Sequence, residues 1–402
     1  MKKPELLAPA GGGEQLEAAI RYGADAVYLG GKAFGMRSRS ENFDPESLEA
    51  AVALCHSHGV KLYVTCNTLP LNRDIESLGE TLRFLGRIGA DAVIVADIGV
   101  LRMAKREAPE LEVHISTQMG VTNWQAAREL HALGASRVIP ARELSLDDLK
   151  ELRDKTPPGL EIEAFVHGAM CVSFSGRCLI SQYLTGRDAN RGECAQPCRW
   201  NWRLVEEKRP GQYFPVTEDE GTYFFNAQDM CMLPHVDKLA AAGVGSFKIE
   251  GRAKSAYYTA VTTNAYRCAI DRLGRGAEFA LPAWLLEEPE KVRHRAYCTG
   301  FYFPEGPPGQ HYSGAGYVED WKVVALVEGY ADGNLLVSQR NVFGIGETLE
   351  VLEPGEAPGK LVVGEMTTAA GEPVSRACHP MELLKIPGDR AWTPGAFIRR
   401  RM

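Results

Sequence analysis

Gly23-Ala24-Asp25-Ala26-Val27 recurs as Gly89-Ala90-Asp91-Ala92-Val93, and this pair of pentapeptides decides the fold. Weaker copies stand at Gly134-Ala135-Ser136-Arg137-Val138 and Gly243-Val244-Gly245-Ser246-Phe247. Each copy follows a stretch of helical periodicity and opens a short apolar run. Glycine suits the position just past a helix end, and an unbroken apolar run suits a strand buried on both faces. A helix–Gly–strand unit that repeats implies alternating β/α architecture around a parallel sheet.

Extending the repeat in both directions gives eight strands: Glu5–Ala8, Ala26–Leu29, Leu62–Cys66, Ala92–Val95, Glu112–Ser116, Arg137–Ile139, Glu161–Val166 and Ser246–Ile249. Helical segments such as Pro45–His58, Ile75–Ile88, Asn123–Leu133 and Ser145–Asp154 separate them, and Ala253–Leu273 follows the last. Eight such units predict an α/β fold, a (β/α)8 TIM-like barrel over residues 1–275, with a doubly wound open sheet as the alternative. One connection is far too long. The stretch 168–245 is expected to be an inserted cysteine-rich loop with a hairpin of Arg203–Glu207 and Gly221–Asn226 about the turn Arg209-Pro210-Gly211. Loops of that length in compact domains usually carry function. Residues 276–316, rich in Gly and Pro, read as a linker. The runs Lys322–Val327, Asn334–Ser338, Thr348–Leu352 and Lys360–Val363 predict a small C-terminal all-β domain, a barrel, over 317–402.

Composition limits the classes. The chain has 402 residues, 24% of them charged, and a net charge of −7, so it does not resemble a general nucleic-acid coat, although a local basic patch is allowed. No apolar run is long enough to cross a membrane, and no signal peptide is expected behind Met1-Lys2-Lys3-Pro4. A cytoplasmic protein is therefore expected, in which the ten cysteines are thiols, catalysts or metal ligands rather than disulfides. Cys171, Cys178, Cys194 and Cys198 fall in the oversized insertion with the spacing C-x6-C-x15-C-x3-C. Four soft thiols so close suit an iron–sulfur cluster or zinc, against a reading as unconnected cysteines. Cys231 is a rival fourth ligand. Cys55, Cys66, Cys268, Cys298 and Cys378 stand alone and read as small buried hydrophobes.

Barrel active sites lie at the C-terminal strand ends. That rule collects Asn67, Asp97, Gln118, Arg142, Glu163, His167, Glu250 and Arg252. Glu163, His167 and Glu250 are the catalytic candidates. Arg142, Arg177, Lys248 and Arg252 would hold an anion such as a carboxylate or phosphate, with Arg37 and Arg39 added from the loop after the second strand. Bland readings stand beside these: Asp97 as a helix cap, Glu163 with Arg252 as an ion pair inside the barrel, and His167 as a satisfied buried histidine. Gly11-Gly12-Gly13 leaves a phosphate site at a helix start open. Arg199-Trp200-Asn201-Trp202-Arg203 mixes cations with aromatics, as base-stacking surfaces do, and reads equally well as a strand. There is no H-E-x-x-H, G-x-S-x-G or Walker A motif.

At these residues the chain resembles peptidase family U32, the collagenase-like proteins. The resemblance rests on Glu5-Leu6-Leu7-Ala8-Pro9-Ala10-Gly11, Gly23 to Tyr28, Glu163 to Cys171, Ser175-Gly176-Arg177-Cys178, Arg187-Asp188, Asn190, Gly192, Cys194 with Cys198, Lys248 to Arg252, and Asn341 to Glu350. It implies an oxygen-independent hydroxylase with a 4Fe-4S cluster. It points to the branch that uses prephenate to hydroxylate the wobble uridine of tRNA, with the C-x3-C pair and the extra β domain as the matching features. Peptidases and a ubiquinone-synthesis branch are the alternatives within the resemblance. The partners it implies are the anticodon loop of a tRNA and a small dicarboxylate, and it leaves a homologous partner chain open. Cys231, after Asp229, departs from some members and keeps the fourth ligand open.

Overall fold

The computed structural model describes residues 3–36, 40–171, 173–174, 177–200, 203–205, 213–215, 228–274, 279–303 and 317–402. Its first half alternates without exception: β1 Glu5–Pro9, α1 Gly13–Arg21, β2 Ala26–Gly30, α2 Pro45–Ser57, β3 Lys61–Cys66, α3 Ile75–Arg87, β4 Ala92–Val95, α4 Ile98–Glu107, β5 Glu112–Ile115, α5 Trp124–Ala132, β6 Arg137–Val138, α6 Leu146–Lys155 and β7 Glu161–Ala169. After α7 Ile180–Thr185 come the short strands β8 Arg203–Val205, β9 Tyr213–Pro215 and β10 Asp229–Cys231, then α8 Val236–Ala241, β11 Ser246–Ile249 and α9 Ala256–Ile270. Strands β1 to β7 pair in order and in parallel, and β11 lies between β7 and β1, closing an eight-stranded barrel. All eight predicted strands are present, and the open-sheet alternative falls away.

The repeat that revealed the fold also explains its own residues. Gly23, Gly89, Gly134 and Gly243 all have φ between +76° and +115°, the left-handed backbone that ends a helix. The aspartate works as a strand clip: the Asp25 carboxylate accepts the Leu6 N–H at 2.8 Å, and Asp91 accepts that of Leu62 at 2.8 Å. Each ties a new strand to the start of its neighbour. The Ala-Val that follows is fully buried in both strong copies.

The insertion differs from expectation. The strand partner of Arg203–Val205 is Tyr213–Pro215. The predicted second arm, 221–226, and the turn at 209–211 lie outside the described residues. β7 runs on to Ala169, three residues beyond the predicted end, because β10 returns antiparallel beside it, with Asp229 opposite Ala169 and Cys231 opposite His167. Tyr297–Cys298 then adds to β10. The stretch read as a linker is therefore part of the barrel over 279–303. Leu285 and Val292 are buried in the barrel core, and Asp229 pairs with buried Arg295 at 3.0 Å. Gly/Pro content marked the irregular backbone there but not its burial.

The C-terminal domain is a seven-stranded antiparallel sheet in the order Gly359–Val362, Thr348–Leu352, Phe397–Arg401, Trp321–Ala331, Asn334–Gln339, Leu383–Pro387, Thr367–Thr368. No ladder joins the two edge strands among the described residues, so the sheet curls round its core without closing into the predicted barrel. The domain packs on α9, whose residues are buried on nearly every side. Asn264 spans the contact, donating to the Glu353 carbonyl and accepting the Gly355 N–H at 2.7 Å.

Candidate active site at the barrel mouth

The C-terminal ends of the barrel strands surround a small cavity lined by Tyr28, Thr65, Asn67, Ser116, Gln118, Arg142, Phe165, Lys248, Glu250 and Arg252, among others. Three predicted anion anchors, Arg142, Lys248 and Arg252, thus meet in one place, each less than one-tenth exposed. Arg252 donates from Nη1 to Thr65 Oγ1 at 2.8 Å. Its guanidinium lies where a side chain on Gly30 would be, so that glycine makes room for the cation. Arg142 donates to the Ala169 carbonyl at 3.1 Å and stacks over Phe165 at 4.9 Å. Asn67 donates to Ser116 Oγ at 3.1 Å, and the Tyr28 hydroxyl donates to the Ile249 carbonyl at 2.9 Å and lies 3.3 Å from Glu250 Oε2. Cations closing on a partly polar pocket suit a multiply charged small anion. Sequence reasoning missed Tyr28, Thr65 and Ser116. Their signal was available, since all lie at or next to the ends of predicted strands.

Arg177 is elsewhere. It is exposed and donates to the carbonyls of Gln118 at 3.0 Å and Met119 at 3.3 Å, bracing the cysteine segment against the loop after β5. Asp97 takes its bland reading, accepting the Val100 N–H at the start of α4. Arg37 and Arg39 lie outside the described residues. The Gly11–Gly13 stretch is packed against protein: a side chain on Gly11 would collide with the Arg252 carbonyl, and one on Gly12 with the Glu41 carboxylate. A carboxylate facing that helix start is the wrong neighbour for a phosphate.

Glu163 is not at the mouth. It sits fully buried below the cavity, accepting from Lys248 Nζ at 2.7 Å and Arg137 Nη1 at 3.0 Å. Burial alone would raise its carboxyl; the charges of Lys248 and Arg137 overcome that and hold it below the usual carboxylate range. Arg137 also binds Glu5 at 2.7 Å and Glu161 at 2.6 Å, making a floor of fixed charge under the site. The expected Glu163–Arg252 pair is replaced by this floor. Lys248 bridges the two levels, bonded to Glu163 below and lying 4.4 Å over the Tyr28 ring that lines the cavity.

His167 also leaves the mouth. Alternation from Glu163 through Phe165 would point it inward, but the β7–β11 register slips by one residue between Lys248 and Ile249. A bulge of this kind turns every later side chain to the other face. His167 accordingly packs among Tyr258 and Tyr266 of α9 and Tyr297, with Nδ1 3.5 Å from the Tyr266 hydroxyl. Burial, with the positive charges of Lys254 and His294, pushes its pKa down to about 3. Glu250, by contrast, stays at the mouth, just beyond the end of β11.

The cysteines lie on the segment that crosses this end of the barrel. Cys171 is exposed, and Cys178, Cys194 and Cys198 are partly buried. Asn190 donates to the Cys178 carbonyl at 3.1 Å, and the Gln196 N–H points to Cys194 Sγ at 3.4 Å. Cys231 stands apart on β10, its thiol pushed up to about 11 by burial, with the Tyr266 hydroxyl 4.0 Å away. In donor type these thiols fit a soft metal or iron–sulfur cluster. Among the described residues, however, no three His, Cys, Asp or Glu side chains converge to hold a metal ion.

A closed parallel barrel with a cationic mouth under a cysteine-bearing segment, followed by a β domain, defines a class of barrel protein. The chain belongs to peptidase family U32, whose family profile matches residues 11–311, and the family's C-terminal domain matches residues 319–399. It is 35% identical to the tRNA hydroxylation protein P1 of Bacillus subtilis over 99% of this chain and 95% of that protein. It is also 35% identical to the tRNA hydroxylation protein P of Escherichia coli, over 98% and 94%. A collagenase of Porphyromonas gingivalis is 34% identical over 74% of this chain and 73% of that one.

Proposed function

We propose that this chain is an RNA-modifying hydroxylase, acting on the wobble uridine of tRNA at C5 with prephenate as hydroxyl source and without oxygen. The observation that carries the reading is the convergence of Arg142, Lys248 and Arg252 at the mouth beneath the cysteine segment. The near full-length likeness to two tRNA hydroxylation proteins supports it. A small dicarboxylate needs at least two cationic anchors; Arg252, braced by Thr65, and Arg142, 4.9 Å from the Phe165 ring centre, present guanidinium groups suited to that task. Lys248 adds positive potential from the floor. Glu250, 3.3 Å from the Tyr28 hydroxyl, is the group at the mouth able to accept or return a proton, and replaces Glu163 and His167 in that role. The target base has to arrive unstacked, as the bases of an anticodon loop do.

Cys171, Cys178, Cys194 and Cys198 would hold a 4Fe-4S cluster, which supplies one-electron chemistry when bound. Anaerobically purified protein is expected to be brown with about four irons per chain, the content of a cubane cluster. Cys171→Ala or Cys178→Ala should lose the iron. Loss on Cys231→Ala with retention on Cys198→Ala would move the fourth ligand to β10, and a colourless protein with one zinc would end the cluster assignment. Mass spectrometry of tRNA nucleosides from a deletion strain tests the reaction itself. A peptidase would need a nucleophile beside a base. The nearest such pair in sequence is Cys171 with His167, and His167 is buried among Tyr258, Tyr266 and Tyr297 while Cys171 is exposed.

A further inference from the structure

A second cavity, larger than the mouth, lies beside it. A cleft of about 1040 Å³ runs between the barrel and the β domain. It begins at Ala169, Gln196 and Glu250, so one carboxylate lines both the mouth and the cleft, and it continues outward along Tyr317, Trp321, Lys322, Arg340 and Asn341. The barrel wall is Lys254, Tyr257, Tyr258 and Arg293.

We propose that this cleft holds the single-stranded RNA flanking the target base, and that the β domain serves to supply its outer wall. The inference rests on the RNA reading above and deepens it. Its basis is the alternation of cations and rings along both walls. Tyr317 has Arg293 at 4.6 Å and Lys254 at 5.6 Å from its ring centre, and Trp321, Lys322 and Arg340 line the wall opposite. Cations beside exposed ring edges are how single-strand grooves hold phosphates while bases stack. Five carboxylates also line the cleft among the described residues: Glu17 faces Arg21 at 4.0 Å, Glu319 faces Arg293 at 3.4 Å, Glu328 accepts from the Ser338 hydroxyl, and Glu14 and Glu250 stand on the barrel side. On the outer wall Lys322 and Arg340 have no carboxylate within ion-pair distance among the described residues. A strand leaving the mouth past Glu250 would meet them in turn. A protein segment is the competing occupant, and the exposed rings Phe174, Tyr183 and Trp200 on the cysteine segment are the competing RNA surface.

The test uses full-length protein with its metal content intact and a fluorescent anticodon stem-loop. The double variant Lys322→Glu, Arg340→Glu changes two side chains of the β-domain wall and none at the mouth. It is expected to weaken binding by about tenfold or more and to lower the slope of log Kd against log salt by about 2, one for each phosphate no longer neutralised. Melting temperature and iron content should not change. As a second measurement, 4-thiouridine placed beside the target position should photo-cross-link to Tyr317 or Trp321. If the wild type binds no RNA at all, the RNA reading itself fails. If it binds and the double variant binds equally well with an unchanged salt slope, only the cleft assignment is overturned. Cross-links confined to Phe174, Tyr183 or Trp200 also overturn it, as does normal RNA binding together with a changed oligomeric state, which would mean a protein occupant.

Discussion

Arg252 was open to two readings, anchor or counter-charge, and its neighbours separate them. Glu163 keeps Lys248 and Arg137 whether or not Arg252 is present, so removing Arg252 orphans no buried carboxylate. Arg252→Ala is therefore expected to abolish hydroxylation with cluster content retained and without the cost of an orphaned buried carboxylate, the lost Thr65 hydrogen bond being worth about 1 kcal/mol. Arg252→Lys should recover a fraction, because an ammonium cannot form the bidentate fork. Activity, iron content and thermal unfolding measured on the same preparations decide it; full activity in Arg252→Ala would remove the residue from the site. Glu250→Gln makes the complementary case: RNA binding should persist while turnover falls by about 100-fold, the usual contribution of one acid–base group.

At the scale of elements, the floor beneath the mouth carries stability and pH dependence. Arg137 is buried with three carboxylates around it, and deleting one partner of such a network costs roughly 3–5 kcal/mol. Arg137→Met should show that loss in urea unfolding at pH 7. Glu5 and Glu163 are both held below the ordinary value of 4.5, burial opposing the shift and the nearby cations prevailing. The unfolded chain therefore takes up protons first as pH falls. The stability these groups give is complete above about 4.5 and is lost as pH drops through their folded values. The wild-type unfolding free energy should fall steeply below pH 4.5, and less steeply in Arg137→Met, where the carboxyls have lost their common cation. Equal slopes would mean that other groups set the acid limit. Nearby, Gly168 has φ +109°, and a side chain there would strike the Glu250 carbonyl. The end of β7 can therefore reach the end of β11 only with glycine at that position.

Across the whole molecule, the two domains are joined by a charged lock. Arg399 of the last strand makes a two-pronged contact with Glu288, at 2.6 and 3.0 Å, and both are fully buried. Glu350 and Lys291 complete the network across the same boundary. Breaking it from one side leaves a buried charge unpaired. Arg399→Ala should lower stability by about 3–5 kcal/mol and split one thermal transition into two, the β domain releasing first. If the cleft holds RNA as inferred, the same variant should also bind RNA more weakly; a single transition at the wild-type temperature would mean that apolar contacts alone join the domains.

The amino-acid sequence was enough to specify the barrel, because its signals are local. Each Gly at a helix end and each apolar run after it acts within a few residues, and the structure kept all eight strands within a few residues of their expected ends. The meeting of Arg142, Lys248, Arg252 and Glu250 was legible too, since strand ends converge in any closed barrel. The remainder came from tertiary pairing and docking. A one-residue slip between β7 and β11 turned His167 outward, and no pattern within either strand announces a slip that exists only in their pairing. Glu163 was claimed by Arg137 on the neighbouring strand, which pairs with Glu161 in register, and by Lys248 on β11, a contact that exists only once the barrel closes. The burial of 279–303 and the cleft beneath the β domain arise from docking, which Gly and Pro content cannot encode. Local free energies are written along the chain, whereas pairing register and charge neutralisation depend on which distant groups the closed fold brings within a few ångströms.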